Sequence, residues 1–428
     1  MSDNYKLSTL ALHAGQQPDP TTGACAVPIY QTSSYKFKDT DHAANLFSLS
    51  EFGNIYTRLM NPTTDVLEQR VAALEGGVAG LAVSSGHAAQ FTVFHTLLET
   101  GDEILASKKL YGGSITQMGT SFKKFGWKTT FVEPTAENFK DALNDNVKAI
   151  FIESLANPGG VITDIAAIAK VAHDAGIVLV VDNTLATPYL CRPIEHGADI
   201  VVHSLTKFLG GHGNSLGGVV IDSGKVDWLK NDKYPTLSTP CDSYNGMVLG
   251  DVFGAAMGNI GFIIACRVLS LRDIGQCLSP QNAFYILNGI ETLALRMQRH
   301  CENALKAATY LSNHHKIKWV SYAGLKDDPY YSLHQKYMPK GAGAVMTVGL
   351  TGGYEAGKKM VESVKLFTHL ANIGDARSLI IHPSSTTHSQ LSETDQIAAA
   401  AGPDVIRLSI GIEDIDDIVA DIDQALNA

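Results

Sequence analysis

Lys207 closes the run Ser204-Leu205-Thr206-Lys207, directly after the apolar stretch Ile200–Val202 and ahead of the glycine-rich segment Gly210–Gly218. A lysine at the end of a buried strand sits where desolvation lowers its pKa, and imine formation with an aldehyde needs the neutral amine. Asp182 ends the strongest apolar run of the chain, Val178–Asp182. In open α/β sheets ligands gather at the carboxyl ends of the strands, so this carboxylate and that amine face the same place. Together they supply what pyridoxal phosphate requires, an amine for its aldehyde and an acid for its ring nitrogen. Alone, each has a plainer reading: Lys207 as a surface lysine in a Ser/Thr turn, Asp182 as a turn or helix-cap residue.

A phosphate seat is also legible. Ser84-Ser85-Gly86-His87 follows another apolar run, Leu81–Val83, and opens an amphipathic segment from His87 to Leu98. The free N–H groups of a helix N-terminus, flanked by small side chains, attract an anion. Ser204 and Thr206 add two hydroxyls. His87 has a side chain that could face a ligand, but a contribution through its backbone fits this position better.

These residues need a scaffold, and the chain alternates in a way that supplies one. After a helical pattern at Thr64–Glu75, short apolar runs recur at Leu81–Val83, Glu103–Ala106, Thr130–Val132, Ala149–Glu153, Val178–Asp182, Ile200–His203 and Gly218–Asp222, with amphipathic segments between most of them, as in His87–Leu98 and Ile165–Ala175. That rhythm predicts a mainly parallel sheet covered on both faces by helices, over residues 64–275. Residues 1–63 show no clear period and are expected to form an extended arm. From 276 onward, Ser279-Pro280 predicts the start of a long connecting helix running to about His314. A smaller α/β domain is expected to follow, with strands at Ala344–Leu350, Arg377–His382 and Ile406–Ile410 and helices at Tyr354–Leu370 and Asp414–Leu426.

Composition narrows the roles. The 428 residues, 45% hydrophobic and only 18% charged, argue against disorder and for two or three domains. A net charge of −10 gives no bulk positive field for nucleic acid or anionic lipid. The six cysteines are scattered and form no C-x-x-C pair, so free thiols in a reducing compartment are expected and no metal is. The opening residues lack a basic stretch leading into an apolar core, and no run is long enough to span a bilayer, which predicts a cytoplasmic protein.

Five segments in this order, Tyr56–Glu68, Ser84–Gln90, Glu153–Pro158, Val181–Pro188 and Ser204–Gly213, resemble the Cys/Met-metabolism family of fold-type I pyridoxal-phosphate enzymes. The likeness extends from Leu12–Gln16 to Arg407–Glu413. It implies a fold-type I transferase fold, a seven-stranded mainly parallel central sheet with a smaller C-terminal α/β domain, and pyridoxal 5'-phosphate as cofactor. It also implies roles. Lys207 would form the imine and shuttle protons, and Asp182 would hold the pyridine nitrogen. Asn157 would contact the cofactor's phenolic oxygen and Tyr111 would stack on its ring. Ser85, Gly86, His87, Ser204 and Thr206 would bind the phosphate, and Ser378 and Arg407 the substrate carboxylate. Tyr56 and Arg58 would reach the phosphate site of a neighbouring subunit, making a dimer with shared sites and a tetramer beyond it.

Within the family, Gly210–Gly218, Asp273–Phe284, Arg299–Leu305 and Lys340–Leu350 are similar to the branch acting on O-acetyl-L-homoserine with sulfide or a thiol. The implied reaction yields L-homocysteine, or L-methionine from methanethiol, and acetate. Cystathionine synthesis, γ-elimination and use of O-succinylhomoserine stay open. A γ-lyase usually has Cys two residues after the stacking tyrosine, whereas Tyr111 is followed by Gly112-Gly113-Ser114. Read without the resemblance, the alternation alone permits a nicotinamide oxidoreductase, although no G-x-G-x-x-G follows the first strand, and an idle Lys207 would permit a binding protein. Singly, several of these side chains have structural readings: Arg407 paired with Glu413 or a nearby Asp, Ser378 as ordinary strand polarity, and Tyr56 and Arg58 as surface residues.

Overall fold

All seven expected strands of the first sheet form: β1 (Ala79–Val83), β2 (Glu103–Ser107), β3 (Lys128–Val132), β4 (Val147–Glu153), β5 (Val178–Asp182), β6 (Ile200–Ser204) and β7 (Gly218–Asp222). The computed structural model describes residues 5–157, 159–230, 232–387, 389–390, 392–398 and 400–428; Pro158, the end of one family motif, lies outside them. The strand order is β1-β7-β6-β5-β4-β2-β3. The pairs from β6 to β3 are parallel, while β7 runs antiparallel to both its neighbours.

The central strands read as continuous Val/Ile/Leu because helices cover both faces. On one face Leu179, Val181 and Val201 pack with Leu67, Ile168 and Leu287; on the other Val180, Ile200 and Val202 pack with Val93, Phe94 and Phe262. Local signals fix the helices. Asn61 caps Pro62–Glu75, which ends on left-handed Gly76, and Ser85 caps Gly86–Leu97 through the Ala88 N–H. The second helix starts three residues after Val83 ends β1, which places its N-terminus at that strand's carboxyl end.

The second sheet holds β8 (Ile317–Ser321), β9 (Val345–Leu350), β10 (Thr368–His369), β11 (Leu379–Ile381) and β12 (Val405–Ser409), in the order β10-β11-β12-β9-β8. Only β10–β11 is parallel.

The structure departs from the sequence expectations at four places. Residues 1–63 are not wholly extended: Leu7–His13 and Thr40–Phe47 are helices, too short for a period to stand out. The first docks on its own chain, where buried Arg70 donates to the Ala14 carbonyl (3.1 Å) and to Gln16 Oε1 (2.8 Å). The long connecting helix is broken at Thr292 into Pro280–Glu291 and Leu293–Ser312. At the break Arg296 Nη2 takes the Gly289 carbonyl (2.6 Å), an acceptor that a continuous helix would have used. The helix expected over Tyr354–Leu370 stops at Ser363, because Thr368-His369 pairs with β11. Finally, β8 and the helix Tyr331–Tyr337 had no clear sequence signal; β8 is a half-exposed edge strand.

Candidate active site

Two neighbouring strands deliver the two residues that opened the sequence reading. Asp182 is the last residue of β5, and Lys207 lies in the turn after β6, the parallel strand beside it. One Asp182 oxygen accepts from the Thr184 N–H (3.0 Å) and hydroxyl (2.5 Å), and the other from Gln90 Nε2 (3.3 Å). Three donors keep this carboxylate fixed and hydrogen-bonded at the strand end. Lys207 Nζ donates to Asn372 Oδ1 (2.5 Å). Burial, and next the positive charge of Arg407, push the Lys207 amine down to about 8.

Arg407 reaches the same space from β12 of the other sheet. It donates to Asn157 Oδ1 (3.4 Å) and to the Asn372 carbonyl (3.3 Å). Burial pushes it down to about 10. The structural alternative, a pairing with Glu413, does not occur, since the Glu413 carboxylate is taken by Ser378. Among the described residues neither Lys207 nor Arg407 has an acidic partner in an ion pair. Two partly buried cations without a counterion make a site for an anionic ligand.

The expected phosphate seat is formed by backbone contact. A Cβ on Gly86 would lie 2.8 Å from Ser204 Cβ, so glycine is needed for β6 to abut the helix Gly86–Leu97 this closely. Ser85 Oγ accepts the Ala88 N–H (3.1 Å), leaving the Gly86 and His87 N–H groups free at the helix N-terminus. The Ser204 hydroxyl beside them has no partner among the described residues. Thr206 Oγ1 bonds the Gly217 backbone, accepting from its N–H at 3.2 Å. Tyr111 lies half exposed at the rim, its ring 5.8 Å from that of His87.

Three expected residues are not brought in. Ser378 is fully buried: its N–H and hydroxyl donate to Glu413 (2.6 and 2.9 Å), and its hydroxyl accepts the Gly411 N–H (2.8 Å). It has no capacity left for a substrate carboxylate, which corrects that expectation. Asn372, six residues earlier, is the residue that touches both Lys207 and Arg407; it stands in an irregular loop before β11, where spacing carries no signal. Tyr56 and Arg58 are exposed and stack only on each other, with Arg58 Cζ 5.7 Å from the Tyr56 ring. They border a groove of about 1960 Å³ between the arm and the body, whose lining includes neither Lys207 nor Asp182. Gln90 was also missed as a partner of Asp182, although it closes the Ser84–Gln90 motif.

A lysine with a lowered pKa and a fixed carboxylate at the edge of such a sheet suit a pyridoxal-phosphate enzyme, and the sequence matches the Cys/Met metabolism PLP-dependent enzyme family over residues 8–427; the chain belongs to that family. It is 54% identical to the O-acetyl-L-homoserine sulfhydrylase of Leptospira meyeri, across 100% of this chain and 98% of that one. It is 48% identical to the homocysteine synthase of Schizosaccharomyces pombe, across 99% of each. A crystal structure from Campylobacter jejuni, of a candidate O-acetylhomoserine (thiol)-lyase bearing N'-pyridoxyl-lysine-5'-monophosphate, superposes with a TM-score of 0.95 at 42% identity, covering 99% of this chain and 100% of that chain.

The residues present fit pyridoxal 5'-phosphate. A doubly charged phosphate suits the free Gly86 and His87 N–H groups and the unpartnered Ser204 hydroxyl. A pyridinium suits Asp182, and an aldehyde suits the desolvated Lys207.

Proposed function

We propose that this protein converts O-acetyl-L-homoserine and sulfide to L-homocysteine and acetate, with methanethiol giving L-methionine. The observation that supports this most strongly is the meeting of two partly buried cations without an ion-pair partner among the described residues, Lys207 and Arg407, both joined to Asn372, near the strand that ends in Asp182. An amino-acid substrate needs just these: an anchor for its carboxylate, an amine for its protons and an acid behind the ring.

When bound, pyridoxal 5'-phosphate supplies an aldehyde for the amino group and a protonated ring that draws electrons from the α-carbon. Gly86, His87, Ser85, Ser204 and Thr206 would hold its phosphate, Tyr111 would cover its ring, and Asn157 would bind its phenolic oxygen. Asp182, fixed by Gln90 and Thr184, keeps the proton on the ring nitrogen. Arg407 takes the substrate carboxylate and so aims the Cα–H bond at Lys207. Lys207, whose amine is free at mildly alkaline pH, removes the proton from Cα and then one from Cβ. Acetate leaves Cγ with the C–O electron pair, sulfide forms the new C–S bond there, and Lys207 returns the protons to Cβ and Cα.

The working unit is at least a dimer, in which Tyr56 and Arg58 of the arm complete the neighbour's phosphate site. Their exposure and their separation from Lys207 within one chain support this. No helix among the described residues is long and apolar enough to cross a membrane, and all six cysteines are free, which supports a place in the reducing cytoplasm.

Product analysis of the purified holoenzyme tests the reading, with O-acetyl- and O-succinyl-homoserine each offered with sulfide, methanethiol or cysteine. Homocysteine from the acetyl ester and sulfide should dominate. Faster formation of cystathionine, preference for the succinyl ester, or elimination to 2-oxobutanoate as fast as replacement would overturn it.

A further inference from the structure

Glu153 takes no part in the chemistry above, yet it is buried in the middle of the site. It is the last residue of β4 and stands in register with Asp182 on the parallel neighbour β5, so both side chains rise from the same face of the sheet. Only 4% of its surface is exposed. Its two oxygens are used separately: Oε1 accepts the Tyr111 N–H (2.6 Å) and Oε2 the Asn157 N–H (3.1 Å).

We propose that Glu153 is a positioning residue that sets Tyr111 and Asn157 as one unit around the cofactor ring. This rests on the roles given to those two residues above. They come from different loops, after β2 and after β4, and one rigid carboxyl is the piece they share. The linkage continues, since Asn157 Oδ1 accepts from Arg407, whose other bond goes to Asn372, the acceptor of Lys207. A displacement of Glu153 would therefore reach both the ring face and the carboxylate anchor.

A carboxyl is needed because two backbone N–H groups each take one of its oxygens. Glutamine matches the shape but offers one oxygen, and its amide nitrogen would confront the second N–H. The arrangement carries an electrostatic cost. Burial, and next the Asp182 charge beside it, push the Glu153 carboxyl well above the usual range, while the two N–H groups pull it back. A residue filling space alone would not need to sit against a second acid.

The test uses holoenzyme variants Glu153→Gln and Glu153→Asp, with Asn157→Ala and the double variant Glu153→Gln/Asn157→Ala. Absorbance of the bound cofactor is titrated against pH without substrates, and cofactor dissociation is measured by dialysis. Glu153→Gln should displace the absorbance midpoint and lower kcat/KM for the amino-acid ester by about 10- to 100-fold, the scale of a misplaced reacting group. In the Asn157→Ala background the same change should cost several-fold less than in the wild type, because the Asn157 side chain that Glu153 positions is absent and only the setting of Tyr111 remains to be lost. Glu153→Asp keeps both oxygens on a shorter stem; it should shift the absorbance in the same direction, by less, and remains informative if the glutamine variant does not fold. A wild-type titration in either variant, or effects that simply multiply in the double variant, overturns the proposal. The absorbance readout needs no substrate, so it judges Glu153 even if a different ester or sulfur donor proves to be the true one.

Discussion

Replacing Arg407 by methionine should make the apoprotein more stable and the enzyme worse. The guanidinium is partly buried, its two hydrogen bonds are long (3.4 and 3.3 Å) and go to neutral oxygens, and it has no ion pair among the described residues. Burial pushes its pKa down to about 10 from its ordinary value, which at about 1.4 kcal/mol per tenfold is roughly 3 kcal/mol against the charged form in the folded chain. For a base, a folded pKa below the unfolded one means that the folded state bears this penalty at every pH below about 10. Methionine fills a similar volume without it, so apoprotein Tm should rise by about 1–4 °C at pH 7. The substrate loses a charge-assisted clamp of about 1.5–3 kcal/mol, or about 10- to 150-fold in kcat/KM for the amino-acid ester, with little change in the KM for sulfide. Scanning calorimetry of the apoprotein and two-substrate kinetics of the holoenzyme measure the two halves. A fall in Tm with both KM values raised equally would show a structural arginine and refute the reasoning.

Other outcomes follow from the same geometry. Capture of added pyridoxal 5'-phosphate by the apoprotein should accelerate with pH through a midpoint of about 8, because the lowered Lys207 pKa frees the amine there; a midpoint near 10 in stopped-flow absorbance would contradict the desolvated setting. Ser378→Ala should lower stability by about 1–3 kcal/mol in denaturant titration, since it leaves Glu413 and the Gly411 N–H underbonded, and should leave both KM values unchanged; a selective rise in the KM of the ester would restore its place at the substrate. Co-refolding Lys207→Ala with Arg58→Ala should regain about a quarter of wild-type activity, because half the dimers are hybrids and half of their sites are intact. Activity equal to the sum of the parents would place the whole site within one chain.

The first sheet was legible within about two residues because its central strands are apolar on both faces, so composition alone marks them between Gly, Ser and Asp boundaries, whereas its edge strand β3 is half exposed and was read only over its apolar end. The smaller sheet was less so. Its edge strand β8 mixes Lys318 and Trp319 into a half-exposed pattern, and β10 is only two residues long. The break at Thr292 could not be read from the local sequence, since its cause is Arg296 bonding to Gly289 within the folded turn and to the Phe208 carbonyl (2.7 Å) from a distant segment. Long-range partners decide such points, and periodicity is blind to them.

The same distinction explains which site residues could be read. Lys207, Asp182 and the Ser85–His87 turn announce themselves because a reactive group at a strand end or helix start has a local signature. Ser378 and Asn372 do not; both are small polar residues in one loop-and-strand segment, and only their bonds separate them. Ser378 is saturated by Glu413 and Gly411, which marks it as scaffold. Asn372, by contrast, spends its bonds on two cations that have no acid of their own. In a buried pocket a saturated group stabilises the fold, whereas an unsatisfied charge costs stability unless a ligand completes it. Such deficits, at Arg407, at Lys207, at the Gly86 and His87 N–H groups and at the Ser204 hydroxyl, are what the substrate carboxylate and the cofactor's aldehyde and phosphate would complete under the proposed function.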